Sequence, residues 1–101
     1  MSKQLTHPSA ESIALEGVLY ALSDPVRLSI VRLAAEKDEQ PCNAFTDTIA
    51  KSTLSHHWKV LRDSGLIRQT QRGTQRLNSL RKEEIDQLYP GLLDAILHVS
   101  K

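Results

Sequence analysis

A chain of 101 residues, 40% hydrophobic, with one cysteine and a formal charge of +1, has room for one domain with a modest core that a second copy could usefully complete, and it excludes an intrachain disulfide and disorder throughout. With no run of 18 or more apolar residues and no basic-then-apolar leader, the expectation is a cytoplasmic protein without a membrane partner. The small total charge hides a split: residues 1–50 carry four Lys/Arg against seven Asp/Glu, residues 51–76 six against one, and residues 77–101 three against four. Concentrating positive charge in one segment suits a surface that meets a polyanion, the plainer alternative being an ordinary solvated face.

Residues 1–8 are polar and are expected to form a flexible tail ahead of a folded domain over 9–101. Ser9 is placed to cap a first helix with Glu11 in its first turn, where Ile13, Gly17, Tyr20 and Ala21 share a face that Val18 and Leu22 widen. Asp24-Pro25 starts a second helix, because aspartate accepts from free amides and proline at the first helical position has no donor to lose. Val26, Ile30, Leu33 and Ala34 recur at helical spacing and carry it to about Glu36. The charged, proline-ended stretch Lys37–Pro41 reads as a loop.

A short helix near Ala44–Ile49 and another beginning near Ser52 are separated only by a tight turn, which is helix-turn-helix geometry. In the second of these, Leu54, Trp58 and Leu61 face inward, while Ser55, His56, Lys59, Arg62 and Asp63 face outward or lie at the flank. Gly65 supplies the left-handed residue that stops the helix. Leu66–Thr70 then reads as a strand, Gln71-Arg72-Gly73-Thr74 as a turn and Gln75–Leu80 as the returning strand of a hairpin, the wing. A last helix from about Lys82 carries Ile85, Leu88, Leu92, Leu93, Ile96 and Leu97, more apolar surface than a small monomer needs, and Pro90 bends or divides it. The fold class is therefore mainly α (α+β), a winged helix-turn-helix with a C-terminal dimerisation helix.

The exposed chemistry points to double-stranded DNA. The first turn of the helix after the tight turn offers backbone amides to a phosphate, surrounded by the short donors Ser52, Thr53 and Ser55 and by Lys51. Thr53, Ser55 and His56, with Ser52 beside them, are the candidates for base edges, and Lys59 and Arg62 for phosphate. His57 has two readings, a DNA contact or a satisfied histidine at the edge of the core. Trp58 shares the face of Leu54 and Leu61 and reads as a packing anchor. On the wing, Arg72, Thr74, Gln75 and Arg76 are candidates for the adjacent backbone or minor groove, with Gly73 letting the tip come close. Arg68 points either toward DNA or toward the other face of the hairpin.

Three separated pieces, Leu22-Ser23-Asp24-Pro25-Val26-Arg27-Leu28, Ser55-His56-His57-Trp58-Lys59-Val60-Leu61-Arg62 and Gly65-Leu66-Ile67, resemble in order and spacing the ArsR-type (arsenic-repressor-like) winged-helix transcription regulators, over roughly residues 12–98. The resemblance implies a homodimer packed through its first and last helices, a near-palindromic operator, repression, and release of DNA by a metal, an oxidant or a small molecule. The metal reading fares poorly on the residues. Metal-sensing relatives place a Cys-x-Cys pair where Pro41-Cys42-Asn43-Ala44 has one cysteine, and a lone thiolate lacks the paired grip that selects soft metals. Asp94 and His98 stand four apart without the rest of the longer ligand pattern found in relatives, so they read as a solvent-facing pair, and His7 as part of the tail. No cofactor is expected. Cys42 reads first as a small buried side chain and second as a redox sensor or dimer crosslink, and an unknown small-molecule effector stays open. No nucleophile-base arrangement or phosphate-cradling loop suggests an enzyme. The competing class is a winged-helix protein-interaction module, which would have lost the polarity of this face.

Overall fold

The computed structural model describes residues 2–4, 6–41 and 50–99. In chain order they form β1 (Ser2–Gln4), a single 3-10 turn (Ala10–Ser12), α1 (Leu15–Leu22), α2 (Pro25–Glu36), β2 (Gln40–Pro41), α3 (Lys51–Asp63), β3 (Ile67–Arg72), β4 (Gln75–Leu80), α4 (Lys82–Leu88) and α5 (Leu92–Val99). The helix expected at Ala44–Ile49, and Cys42 with it, lie outside the described residues. The architecture is the expected mainly α one, with a single antiparallel sheet in the order β1-β3-β4-β2.

The second helix starts as its sequence dictates. Asp24 Oδ2 accepts from the amides of Val26 at 2.9 Å and Arg27 at 3.1 Å, and Pro25 occupies the first helical position. Burial alone would raise the Asp24 pKa, but the Arg27 amide, the nearby His57 and the Val26 amide outweigh it and hold the carboxyl below its ordinary value. At the other end of the chain Pro90 divides the last helix: α4 stops at Leu88, and Gly91 at φ +83° leads into α5. The wing turns in two residues, Gly73-Thr74, with Gly73 at φ +61°, as a hairpin with glycine at its first central position requires. Behind these elements lies one apolar core built from Ile13, Val18, Ala21, Ile30, Val31, Trp58, Leu61, Leu66, Ile67, Ile85 and Leu93.

Within the segment expected to be a flexible tail, Ser2–Gln4 pairs antiparallel with β3, Ser2 opposite Arg72 and Gln4 opposite Thr70. Further along, His7 Nε2 accepts from the Gln69 amide at 2.9 Å and the Pro8 carbonyl accepts from Arg81 Nη1 at 2.9 Å. A short polar strand with no hydrophobic alternation is held here by ladder bonds to an edge that would otherwise be unpaired. Ser9 precedes only the 3-10 turn and caps no amide, and α1 begins at Leu15. Ile13 is extended and 5% exposed, because its side chain is spent on the core rather than on a helical turn. Tyr20, expected on the inner face of this helix, is 59% exposed, and the Arg27 guanidinium lies over its ring at 5.0 Å.

Candidate nucleic-acid interface

Helix α3 runs from Lys51, one residue before its expected start, to Asp63. Its N-cap residue, Ala50, offers no side-chain cap, and the leading amides, which have no acceptor within the helix, are directed out of its end. Its apolar residues face as the spacing predicts: Trp58 and Leu61 are buried and Leu54 is half-buried. The opposite face exposes Lys51, Ser52, Thr53, Ser55, His56 and Lys59. Gly65 stops the helix at φ +88°, and a Cβ there would stand 2.5 Å from Ile13 Cγ1, so the position has neither the conformation nor the space for another residue.

The two adjacent histidines have opposite environments. His56 is exposed, whereas His57 is 8% exposed, with Nδ1 3.2 Å from Arg27 Nη1 and 3.9 Å from Asp24 Oδ2. A guanidinium only donates, so Nδ1 is the acceptor wherever that contact is made. Arg27 also donates to the carbonyls of Ala21 at 2.8 Å and Tyr20 at 3.2 Å. His57 is therefore a histidine of the core edge that ties α3 to α2 and, through Arg27, to the last turn of α1.

Among the cations, exposure separates three kinds. Lys59 meets Asp63 at 2.7 Å and Arg72 meets Glu39 at 3.0 Å, with all four side chains at least half exposed, and such pairs yield readily to a stronger anion. Arg76, exposed like Thr74 and Gln75, reaches Gln71 Oε1 from Nε at a long 3.4 Å. Arg62 is half-buried and donates from Nη1 to Gln69 Oε1 at 2.6 Å. Arg68, whose direction the sequence left open, turns to the other side and meets Glu84 Oε1 at 2.9 Å. There Arg81, whose side chain is 3% exposed, grips both oxygens of the same carboxylate at 2.9 and 2.6 Å. The bonds from Arg81 outweigh the desolvation and, with the charge of Arg68, hold the Glu84 pKa at about 2.

Lys59, Arg62, Asp63 and Arg76, with Thr6, line a cleft of about 420 Å³ where α3 meets the sheet. Lys59 and Arg62 of α3 and Arg76 of the wing are thereby neighbours on one surface. The sequence missed what stands beneath them: Gln69 and Asn78 are fully buried, paired across the ladder, and bonded side chain to side chain at 2.7 Å. Position 69 lies in phase with buried Ile67 on β3, and that alternation was the available signal. Asp94, suggested as half of a metal pair, is exposed and meets Lys82 Nζ at 3.1 Å; Lys82 also bonds Asp86 at 2.6 Å, and Asp86 first and Asp94 second raise its pKa. The described residues contain no group of three or more potential metal ligands.

A helix-turn-helix domain family matches residues 22–70. A helix-turn-helix-type transcriptional regulator of Bacillus subtilis, YceK, is 33% identical over 82 residues, which are 78% of this chain and 82% of that protein. The chain belongs to the helix-turn-helix transcriptional regulators. A second regulator of that type, MJ1325 of Methanocaldococcus jannaschii, is 32% identical over 59 residues, 56% of this chain and 66% of that one. The crystal structure of an ArsR family transcriptional regulator has the same fold, with a TM-score of 0.67 at 24% identity over 80% of this regulator and 90% of that chain. That likeness shows the winged helix-turn-helix fold that the three motifs imply. None of its described helices is long and apolar enough to cross a membrane.

Proposed function

We propose that this regulator is a homodimeric repressor that reads a near-palindromic double-stranded operator. The observation that carries the reading is the cleft lined together by Lys59, from the exposed polar face of α3, and by the exposed Arg76 of the wing. In this reading the leading amides of α3, with Lys51 and Ser52, hold a phosphate at the rim of the major groove, while Thr53, Ser55 and His56 reach base edges. Lys59 of α3 and Arg72, Thr74, Gln75 and Arg76 of the wing hold flanking phosphates, exchanging their weak exposed partners for DNA. Support for the dimer comes from Leu15, Leu19 and Tyr20 of α1 and Leu88 of α4, which are large, apolar and exposed, surface that a second copy would cover. Two recognition helices then enter successive major grooves about one helical turn apart. Repression follows from the family resemblance alone. An effector acting on the dimer would change operator affinity by the factor by which the operator changes effector affinity.

The test is selection of random-sequence duplexes by purified protein, followed by anisotropy titrations of the winner and its scramble. Enrichment of a two-fold-symmetric site bound far more tightly than the scramble is expected. Weak or unselective binding would replace this reading with a protein-interaction module.

A further inference from the structure

We infer that Gln69 is a positioning residue that locks the wing to the recognition helix, and that Arg62 serves DNA binding through Gln69 rather than by holding a phosphate. The inference rests on the DNA-binding reading and assigns Arg62 a role different from the one its position on the flank of α3 suggests.

Gln69 stands where four parts of the chain meet. Its backbone amide donates to His7 Nε2 at 2.9 Å, its Oε1 accepts from Arg62 Nη1 at 2.6 Å, and its Nε2 donates to Asn78 Oδ1 at 2.7 Å. Asn78 in turn donates from Nδ2 to the Gln40 carbonyl at 3.0 Å. One chain of bonds thus links the N-terminal segment, α3, both wing strands and β2. Gln69 and Asn78 are both 0% exposed, and a buried amide deprived of its partner has no water to replace it. Leucine or valine in these places would pack against α3 at a range of angles. An amide bonded at both ends to fixed partners admits one.

The position of Arg62 supports the assignment. It lies eleven residues beyond Lys51, about 16 Å along the helix axis, in the last turn rather than in the part of a recognition helix that enters the groove. Arg62 is half-buried, and the short, charge-assisted bond to Gln69 orients its guanidinium toward β3. Lys59, one turn earlier and 66% exposed, is the cation free to follow a phosphate. Registration of wing against helix matters most on a matched site, where both must fit at once; binding to any duplex depends mainly on the number of cations engaged.

The experiment compares Arg62→Met, Gln69→Met and the double variant with wild type, on the selected duplex and its scramble over a salt series. Each single variant is expected to lose roughly tenfold on the matched site, the scale of one charged hydrogen bond, with little loss on the scramble and an unchanged salt slope. The double variant is expected to be no weaker than either single one, since both act through the same bond. A fall of about one in the salt slope for Arg62→Met, or additive losses, would overturn the inference. A readout without DNA keeps it separate from the DNA-binding reading: amide hydrogen exchange of the free protein should quicken across β3 and β4 in Arg62→Met and stay unchanged in α2. Undisturbed wing protection would overturn the inference even if operator binding were lost, and absence of any duplex binding by wild type would overturn the DNA reading alone.

Discussion

The two basic regions of this molecule use the same residue types for opposite ends. At the base of the wing Arg68 and Arg81 converge on Glu84, and the Arg81 side chain is 3% exposed. Along α3 and the wing tip, Lys59 and Arg72 have acidic partners too, yet every side chain in those pairs is at least half exposed. A carboxylate held at about 2 by two guanidiniums is part of the fold; one that water already reaches is a placeholder for a stronger anion. Counting charges along the sequence cannot separate the two, because Arg68 and Arg72 stand four residues apart on one strand. Burial of the partner does.

Breaking the closed cluster should therefore cost stability and leave DNA binding alone. Arg81→Met removes the grip on Glu84 and the bond to the Pro8 carbonyl, and is expected to destabilise the protein by about 2–3 kcal/mol in urea unfolding, somewhat below a fully buried pair because Glu84 retains some water. Operator affinity under folding conditions should stay within about twofold. A second cut at the same cluster uses pH. Because the folded Glu84 pKa lies below the ordinary 4.5, its ionised form stabilises the protein fully above about 4.5, and that contribution is lost as pH falls toward 2. Glu84→Gln should cost about 1–2 kcal/mol at neutral pH and flatten the acid limb between those values; an acid limb as steep as that of wild type would mean that other carboxylates govern it.

On the open side the expected effects pass from stability to binding. His56→Ala and Ser55→Ala are expected to narrow the gap between operator and scramble by about 1 kcal/mol each, and equal losses on both duplexes would remove them from base reading. The smallest effect is reserved for Lys59→Ala and Arg72→Ala. Unfolding free energy should move by less than about 0.5 kcal/mol, while binding to every duplex weakens and the salt slope falls by roughly one for each. A stability loss as large as that of Arg81→Met would erase the distinction between the two regions.

What the sequence disclosed depended on whether a residue's task was local. Asp24-Pro25, the inward spacing of Leu54, Trp58 and Leu61, the turn at Gly73 and the break at Pro90 are each decided within a few residues, and each was legible. The strand Ser2–Gln4 was not, because three polar residues become a strand only through β3, some seventy positions away. Gln69 and Asn78 look like solvent-facing strand residues; they are buried because each satisfies the other. The same non-locality hid the partner of Arg62, whose acceptor follows seven residues later on another element. It also left His57 open until Arg27 and Asp24 were seen beside it. The exposed residues of the candidate interface were easier, since exposure on a helix follows from the face opposite the core.

Ile13 belongs to no helix, yet it decides how three of them meet. Its side chain fills the space that a Cβ at position 65 would need, and its carbonyl accepts from the Tyr89 hydroxyl at 2.8 Å, just beyond α4. The end of α3 is therefore shaped by a residue that precedes α1. Transplanting this recognition helix into another scaffold means carrying residue 13 along with residues 51–65; a graft of the contiguous segment alone would leave Gly65 facing a hole, with a glycine's freedom and nothing to restrain it.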